Sequence, residues 1–407
     1  MTKSALFFGL SILFLAVILL SLPYWIGFFE AWGSTYHNTS TVADFNGDGL
    51  LDVVVAHARY ETESAIWAHT TLWTNQGNGK FTPTLIAYRN SVAAGDVDGD
   101  GDPDLVVVDQ SQLQVFLNQA GRQSGEMGDF KWYGNPIIPP GDHGTVGTVY
   151  LGDLDGDGDL DGFVAGCCSM DMGPNLYIPS HAWVWLNDWQ EDGWLKRQTL
   201  SLKELGDVRM RAAALGDLDG DGSLDVFAAV LAPRLGTESG HPDLVLLNDG
   251  LGTLRDSGQR LGDVNSTSVA LGDLDGDGDL DALVGSDNGV SLWINQGGAQ
   301  GGQQGQFELA EQTIPAGQVQ HIFLADLDED GDLDALVAGK TQAAIWWNDE
   351  GGNFTRANQP ILRFTQRHGL ALADFDGDGR LDIFASAYND SYSLWLNQGQ
   401  GSFRKMP

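Results

Sequence analysis

The chain is poor in cysteine, because its 407 residues contain only the adjacent Cys167 and Cys168. A disulfide-stapled domain needs several cysteines at separate positions, so the sequence excludes that class. We interpret the pair as two buried or idle thiols. The alternatives are a strained vicinal disulfide and a soft-metal pair completed by Met170 and Met172.

Basic residues are also scarce. Lys and Arg together number 21 against 56 Asp and Glu, which gives a formal net charge of −35. Binding to nucleic acid requires Lys and Arg to neutralise phosphates, so this balance argues against a nucleic-acid partner. An acidic chain usually has a soluble, self-repelling surface. Here, however, the acids recur at fixed spacing and are not scattered.

Long apolar runs are absent except for residues 5–29. That length suits a membrane span of about 20 residues and exceeds the roughly 7–15-residue core of a signal peptide. Tyr24, Trp25 and Trp32 are placed to form an aromatic belt at the membrane interface. We therefore predict one N-terminal hydrophobic helix within residues 1–33, which acts as an uncleaved signal anchor.

The predicted boundary places a single exported domain at residues 34–407. A cleaved signal peptide, followed by secretion, is the alternative, because Ala31-Trp32-Gly33 resembles a small-x-small cleavage site. We expect this domain to be extracytoplasmic and tethered to the membrane by the N-terminal segment.

The stretch Asp153–Asp161 has the sequence DLDGDGDLD and predicts a cation-binding loop. Aspartate occupies positions one, three, five and nine of the loop, and glycine occupies position six. Calcium binds six to eight oxygens, and carboxylates spaced two apart on a tight turn can converge on one ion. Glycine permits that turn, and position seven would offer its backbone carbonyl.

This loop occurs seven times, with starts separated by 52, 57, 64, 56, 53 and 48 residues. Repetition at this length indicates a solenoid, a propeller or an array. The loops predict up to seven structural Ca²⁺ ions, which would change the net charge from −35 to −21. The predicted side-chain ligands at positions one, three, five and nine are Asp44, Asn46, Asp48 and Asp52; Asp96, Asp98, Asp100 and Asp104; Asp153, Asp155, Asp157 and Asp161; Asp217, Asp219, Asp221 and Asp225; Asp273, Asp275, Asp277 and Asp281; Asp326, Asp328, Asp330 and Asp334; and Asp374, Asp376, Asp378 and Asp382. The predicted carbonyl ligands at position seven belong to Leu50, Asp102, Asp159, Ser223, Asp279, Asp332 and Arg380.

Three loops depart from the pattern. Asn46 lowers the charge of loop one without removing an oxygen, and Arg380 adds a positive charge beside loop seven. Glu329 replaces glycine at position four of loop six, where we expect it to alter the turn. We therefore expect loops two, three, four and five to bind calcium best.

An EF-hand interpretation fails, because an EF-hand needs Glu at position twelve and helices on both sides. The flanking segments are short, apolar and partly β-branched, as strands are. Position nine must therefore complete the ligand shell. Position twelve is valine or alanine in every copy: Val55, Val107, Val164, Ala228, Val284, Val337 and Ala385.

Each repeat predicts four strands. One strand precedes the loop, a second follows it, and a third ends in a phrase such as Leu292-Trp293-Ile294-Asn295-Gln296-Gly297, whose Asn-x-Gly favours a hairpin turn. A fourth strand often begins at Gly-x-Phe. Seven such repeats without a helical period predict an all-β, seven-bladed β-propeller. We expect Trp and Phe to pack between blades, and residues 30–37 to complete the short last blade.

These residues resemble the FG-GAP or VCBS repeat family, known from integrin α-subunit heads and many bacterial surface proteins. The resemblance covers about residues 37–403, and seven loops in register make it specific. It implies a seven-bladed propeller with calcium in the Asp-rich loops.

Insertions at residues 57–70, 131–147, 166–181 and 232–243 break the repeat. We expect them to share the face opposite the cation loops, where insertions often mark a binding surface. Variable loops with no partner are the alternative. That face would carry Arg59, Tyr60, Trp67, Trp132, Tyr133, Tyr177, His181, Arg234 and His241.

These features predict a non-catalytic, calcium-stabilised propeller that binds a protein or glycan in adhesion at the cell surface. A lectin differs from this hypothesis only in its ligand. The alternative is a polysaccharide lyase or hydrolase on the same scaffold. The sequence shows no Ser-His-Asp order, His-rich metal motif or phosphate loop, although a shallow site at His181 or His241 stays open.

Overall fold

The computed structural model describes residues 35–61, 64–87, 91–109, 112–119, 125–137, 146–168, 170–171, 177–178, 182–188, 198–201, 205, 208–231, 241–349, 351–358, 362–363, 368–387 and 391–407. These residues form seven antiparallel sheets with the order of a propeller. A short 3₁₀ turn at Gly298–Gln300 connects two strands. The predicted N-terminal helix and the boundary at residue 33 lie outside the described residues. In the described part of the chain, no helix is long and apolar enough to span a membrane.

The first four blades are numbered in chain order. Blade one contains β1 (Thr35–Ala43), β2 (Asp52–Glu61), β3 (Ser64–Asn75) and β4 (Phe81–Ala87). Blade two contains β5 (Ser91–Gly95), β6 (Asp104–Asp109), β7 (Gln112–Asn118) and β8 (Phe130–Ile137). Blade three contains β9 (Val146–Gly152), β10 (Asp161–Cys168), β13 (Trp183–Leu186) and β14 (Gln198–Ser201), with a small hairpin of β11 (Met170–Asp171) and β12 (Tyr177–Ile178). Blade four contains β15 (Arg209–Gly216), β16 (Asp225–Leu231), β17 (Leu244–Asn248) and β18 (Leu254–Asp256).

The last three blades repeat this arrangement. Blade five contains β19 (Ser266–Gly272), β20 (Asp281–Ser286), β21 (Gly289–Asn295) and β22 (Phe307–Ile314). Blade six contains β23 (His321–Ala325), β24 (Asp334–Ala338), β25 (Gln342–Trp347) and β26 (Thr355–Arg356), and β27 (Leu362–Arg363) pairs with β25. Blade seven contains β28 (His368–Ala373), β29 (Asp382–Ala387), β30 (Tyr392–Asn397) and β31 (Phe403–Lys405). The all-β, seven-bladed propeller with four-stranded blades is confirmed.

The acidic loops are the turns between the first and second strands. In every blade, the residue before the loop pairs with the position-nine aspartate, as Gly272 pairs with Asp281 in blade five. The first and second strands therefore hold both ends of each loop. Since all seven turns have this register, the loops lie at one end of the propeller.

The core lies between the blades. Buried apolar residues form seven clusters, and each cluster combines the facing sides of two neighbouring sheets. Trp73 and Trp185 are 1% and 0% exposed within two of these clusters. The Trp73 ring lies 5.7 Å from that of Phe384, across the junction of blades one and seven. The predicted role of these aromatic residues in packing between blades is confirmed.

The inner strand of each blade has one edge that pairs with no other strand, and in blades two, four and six a hydroxyl group of the preceding blade accepts an amide at that edge. The Val92 amide donates to Thr39 Oγ1 at 2.9 Å, and the Ile322 amide donates to Ser268 Oγ at 3.1 Å. The Tyr150 hydroxyl likewise accepts the Ala213 amide at 2.9 Å. Unpaired strand edges invite aggregation, so these contacts both join the blades and protect the edges.

Ring closure differs from the prediction. Thr35–Ala43 is the inner strand of blade one, whereas blade seven uses its own Phe403–Lys405 as its fourth strand. The expectation that residues 30–37 complete the last blade is therefore wrong for residues 35–37, and residues 30–34 lie outside the described chain. Three residues beyond the last turn are enough to pair with Trp395 and its neighbours, so no strand exchange is needed.

Two predicted insertions are strands. Most of residues 57–70 belongs to an elongated hairpin of β2 and β3, in which Arg59 pairs with Trp67. Residues 131–137 belong to β8, the outer strand of blade two, where Trp132 is 50% exposed. The prediction that Trp132 and Tyr133 lie in an inserted loop is therefore wrong, because that segment completes the sheet.

The junction of blades seven and one gives a first prediction. The Tyr392 hydroxyl accepts the Phe81 amide at 3.1 Å and donates to the Gly79 carbonyl at 3.3 Å. Tyr392→Phe removes both bonds and leaves polar backbone groups unsatisfied. We expect a loss of about 1–3 kcal/mol in the free energy of unfolding, measured by urea denaturation with calcium present. An unchanged midpoint would mean that packing alone closes the ring.

Candidate metal centres

The position-one aspartate organises each loop through the backbone. In loop four, Asp217 Oδ1 accepts the amides of Gly220 and Asp221 at 2.7 and 3.1 Å, and Oδ2 accepts that of Gly222 at 3.0 Å. The equivalent carboxylate accepts the position-six amide in each of the other loops, for example Asp374 from Gly379 at 2.8 Å. This carboxylate therefore fixes the turn before any ion binds.

The position-three aspartates have oxygens that the protein does not satisfy. Oδ1 of Asp219, Asp275 and Asp328 is buried and has no hydrogen-bond partner. Burial, followed by the neighbouring carboxylates, raises the pKa of all three. A buried oxygen without a donor is costly, and a cation satisfies it.

The position-nine aspartate is buried in every centre. Asp225, Asp281, Asp334 and Asp382 are all 0% exposed. In each loop one oxygen accepts the position-two amide at 2.8–3.2 Å, and the other accepts an amide at the end of the third strand at 2.7–2.9 Å. Desolvation by burial raises the pKa of this carboxyl to about 6 or 7 in all seven loops, against the lowering effect of these bonds.

The three carboxylates converge. In loops two to six, oxygens from positions one, three and nine lie within 4.8 Å of one another. This oxygen-only donor set, with unsatisfied oxygens at position three, fits a hard divalent cation and is consistent with calcium. The clusters could thus hold metal ions, whereas the full ligand sets, including positions five and seven, remain predictions.

The structure shows how Glu329 and Arg380 are accommodated in their loops. Glu329 has a left-handed backbone with φ of 67°, as the glycines have at position four elsewhere, and its amide still bonds to Asp326 at 2.7 Å. The turn is therefore retained, and the expectation that Glu329 alters it is wrong. The Arg380 guanidinium bonds to Asp378 of its own loop, so part of the carboxylate charge in loop seven is already compensated.

Loop five has a cover of its own. The 3₁₀ turn between the third and fourth strands of blade five donates the Ala299 amide to Asp277 at 2.7 Å and the Gln300 amide group to Asp275 at 2.5 Å. These donors compete with an ion for the same carboxylates. Beside them, the Asp279 side chain is 3% exposed, and burial raises its pKa to about 7.

Sequence analysis missed a functional residue, the asparagine at the end of each third strand. Its side-chain Nδ2 donates to the position-two carbonyl of the preceding blade's loop at 2.8–3.0 Å, as Asn295 does to Leu218. Its backbone amide is the donor to the position-nine aspartate of its own blade. We interpreted the residue only as a turn signal. Its presence in all seven repeats was the available clue: Asn75, Asn118, Asn187, Asn248, Asn295, Asn348 and Asn397.

These contacts form a closed ring. In each loop, the N–H of the position-two residue donates to the position-nine aspartate. The carbonyl of the same residue accepts a hydrogen bond from the asparagine side chain of the next blade. The last link joins the Phe375 carbonyl of blade seven to Asn75 of blade one at 3.0 Å. Each candidate metal centre is therefore hydrogen-bonded to both of its neighbours.

Comparisons with known proteins agree with this geometry. A profile of the FG-GAP-like repeat matches residues 44–107, 96–164, 217–284, 273–337 and 326–385. No relative was found among curated protein sequences.

Two solved structures are similar in fold. One is an Agrocybe aegerita lectin that recognises non-reducing terminal N-acetylglucosamine, at 19% identity and a TM-score of 0.50, with 88% of this chain and 87% of that chain covered. The other is an exotype rhamnogalacturonan lyase at 15% identity and a TM-score of 0.51, with 88% and 72% covered. At these identities the likeness concerns the fold alone.

The asparagine ring predicts an asymmetry between two substitutions. Asn295→Ala leaves the Leu218 carbonyl and the Gly305 amide without their partner, so we expect a loss of about 2–4 kcal/mol and a weaker response to calcium. The control is Asn353→Ala, because Asn353 is exposed and its side chain bonds only within its own turn, to Asp349. Equal effects in calorimetry would contradict a special role for Asn295.

The raised pKa values predict how stability depends on pH. The position-nine carboxyls keep a proton in the folded chain up to about pH 6–7, whereas the unfolded groups lose it near 3.8. In excess chelator the melting temperature should therefore fall as the pH rises from about 4 to 7.

With saturating calcium the melting temperature should instead rise as the pH rises from about 4 to 7, because the ion binds the ionised carboxylates. Asp243 lies outside the loops, and its pKa is also raised to about 7 by burial. Its own contribution should therefore be a small fall in the melting temperature with rising pH, both with calcium and in chelator. The same slope with and without calcium would show that the loops are not the titrating groups.

Proposed function

Because the chain belongs to the FG-GAP-like repeat family, we propose that it is a non-catalytic binding protein, a propeller that calcium makes rigid and that presents a protein- or glycan-binding surface outside the cell. The acidic loops are part of the scaffold in this proposal, and the contacts with the partner lie elsewhere. Adhesion at a cell surface is the role that suits such an arrangement.

The observation that carries the proposal is the position of the acids in the framework. Each position-nine carboxylate bonds to two backbone amides, and one of these belongs to the asparagine that reaches the next blade. An ion at such a centre would stabilise the junction of two blades. A catalytic ion would need an open position for substrate, whereas these centres are joined into the ring on both sides.

The proposed partner surface is the opposite face, formed by the links from second to third strands. Blade one has a 10-residue second strand and a 12-residue third strand, which extend its hairpin beyond those of the other blades. Blade three adds the hairpin of Met170–Asp171 and Tyr177–Ile178. A partner could bind these projections without displacing an ion.

One contact resembles part of an enzyme site, but its setting argues for a structural role. Ser386 Oγ lies 3.2 Å from His57 Nε2, which is the nucleophile–base half of a hydrolytic triad. Ser386 and His57 are 0% and 1% exposed, between blades seven and one. A substrate has no access to this pair, so it helps to join the two blades.

We also propose that residues 1–33 anchor the propeller to a membrane, with residues 34–407 on the extracytoplasmic side. The support is the apolar run at residues 5–29 and the match between calcium loops and an environment rich in calcium. Mass spectrometry of the mature N-terminus distinguishes this anchor from a cleaved signal peptide.

The role of calcium gives a direct test by calorimetry. An ion at 100 times its dissociation constant adds about 2.7 kcal/mol per site. Excess chelator should therefore lower the melting temperature substantially, calcium should restore it, and magnesium should restore it poorly, since magnesium dehydrates reluctantly. Asp275→Asn should reduce the gain from calcium, whereas Asp287→Asn, on an exposed turn of the same blade, should not. A melt that ignores chelator would refute structural calcium.

The binding role is tested with the full-length protein in mild detergent. We expect a glycan array or a pull-down to give a defined ligand whose binding is lost when the elongated hairpin of blade one is shortened. Trp132→Ala, on the outer strand of blade two, serves as the control. Turnover of a polysaccharide in the same assay would replace the proposal by the lyase or hydrolase alternative.

A further inference from the structure

The central channel differs in charge from the rest of the molecule. The inner strands of blades one to six line a cavity of about 480 Å³. None of the seven inner strands that the structure describes contains Asp or Glu, although the chain has 56 of these residues. The same strands contain five basic or imidazole residues: His37, Arg209, Arg211, His321 and His368.

Two of these bases, Arg211 and His321, line the cavity. The acids lie at the loop ends of the inner strands, whereas Arg211 and His321 lie near the opposite ends, where the strands begin. The electrostatic potential inside the channel therefore changes along its axis, and it is most negative at the end with the loops. An anion that enters from the end opposite the loops meets the Arg211 guanidinium near that end.

A backbone irregularity places Arg211 in the channel. The pairing of β15 with β16 shifts between Met210 and Ala212, so Arg211 is the extra residue of a β-bulge. The neighbouring inner strand has the same irregularity at Thr267, between Ser266 and Ser268, and Thr267 also lines the cavity. Bulges commonly re-aim side chains at binding sites. Two adjacent bulges that face one cavity are a local feature of blades four and five.

The other lining groups are suited to hydroxyl groups. Thr148, Thr267 and Gln320 contribute hydroxyl and amide side chains to the wall. Thr267 Oγ1 shares its proton between two backbone carbonyls, that of Val319 at 2.8 Å and that of Gly285 at 3.1 Å, which leaves its oxygen able to accept a bond from a ligand. A guanidinium is the preferred group for a carboxylate, and alternating donors and acceptors suit a polyol. A cavity of this volume has the size of small-molecule sites.

We propose that the central channel binds a sugar acid of monosaccharide or disaccharide size, with its carboxylate at Arg211 and its hydroxyl groups along Thr267 and Gln320. The channel opens at the end where the proposed partner face lies, but the site is inside the channel and depends only on the propeller fold and on the inner-strand side chains. It adds a small-molecule ligand to a protein whose proposed partner binds the projecting hairpins.

The test is calorimetric titration of the full-length protein, at saturating calcium and about 0.15 M salt, with glucuronate, galacturonate, glucose and inorganic phosphate as separate probes. We expect at least one sugar acid to bind and glucose to bind at least about tenfold more weakly. Equal affinity for glucose and the sugar acids would overturn the role of Arg211. Phosphate that binds as tightly as the sugar acids would overturn the sugar-acid assignment.

Arg211→Gln should weaken binding of the sugar acid at least about tenfold, and Arg211→Lys should weaken it less. Arg260→Gln removes the same charge from an exposed ion pair with Asp256 and should have no effect. If Arg211→Gln fails to fold, methyl NMR of the unmodified protein decides. The sugar acid must then shift the methyl signals of Thr148 and Thr267 but not that of the exposed Thr355. Shifts confined to the outer surface would overturn the proposal.

Discussion

The fold depends on one repeated contact, in which the side chain of an asparagine bonds to the backbone of the neighbouring blade's acidic loop. Sheets packed face to face by apolar side chains can slide, because dispersion and hydrophobic contacts have little directional preference. The seven Nδ2–carbonyl bonds are directional and fix the angle of each blade. Since each asparagine also bonds to the buried aspartate of its own loop, the loops and the blade junctions form a single hydrogen-bonded system.

Electrostatics explain why such a system favours cations. Several carboxylates converge at each loop, and two unit charges 4 Å apart repel by about 4 kcal/mol at an effective dielectric of 20. The backbone amides that bond to Asp217 and Asp225 offset part of this repulsion but leave Asp219 with an unsatisfied oxygen. A divalent ion would satisfy that oxygen. The carboxylates therefore lie at positions where backbone amides already donate hydrogen bonds to them.

Much of this architecture could be predicted from the sequence. The spacing of the aspartates and glycines was enough to predict the loops, the four strands per blade and the sevenfold repeat. The reason is that position six of each loop needs glycine and position nine starts a strand. The role of Asn295 could not be predicted, since its partner Leu218 lies 77 residues away and only the ring brings them together. Residues 131–137 were also misjudged, because an irregular outer strand has little alternation. The bulge at Arg211 has no signature in sequence, since it appears only as a shift in pairing.

Arg380 distinguishes loops six and seven from the other acidic loops. Its guanidinium contacts Asp378 and lies 3.2 Å from the Asn397 carbonyl and 3.9 Å from Glu329 of loop six. The Arg380 side chain therefore places a positive charge between the acidic loops of blades six and seven. We therefore expect removal of divalent ions to destabilise this sector least, because part of its carboxylate charge is already compensated.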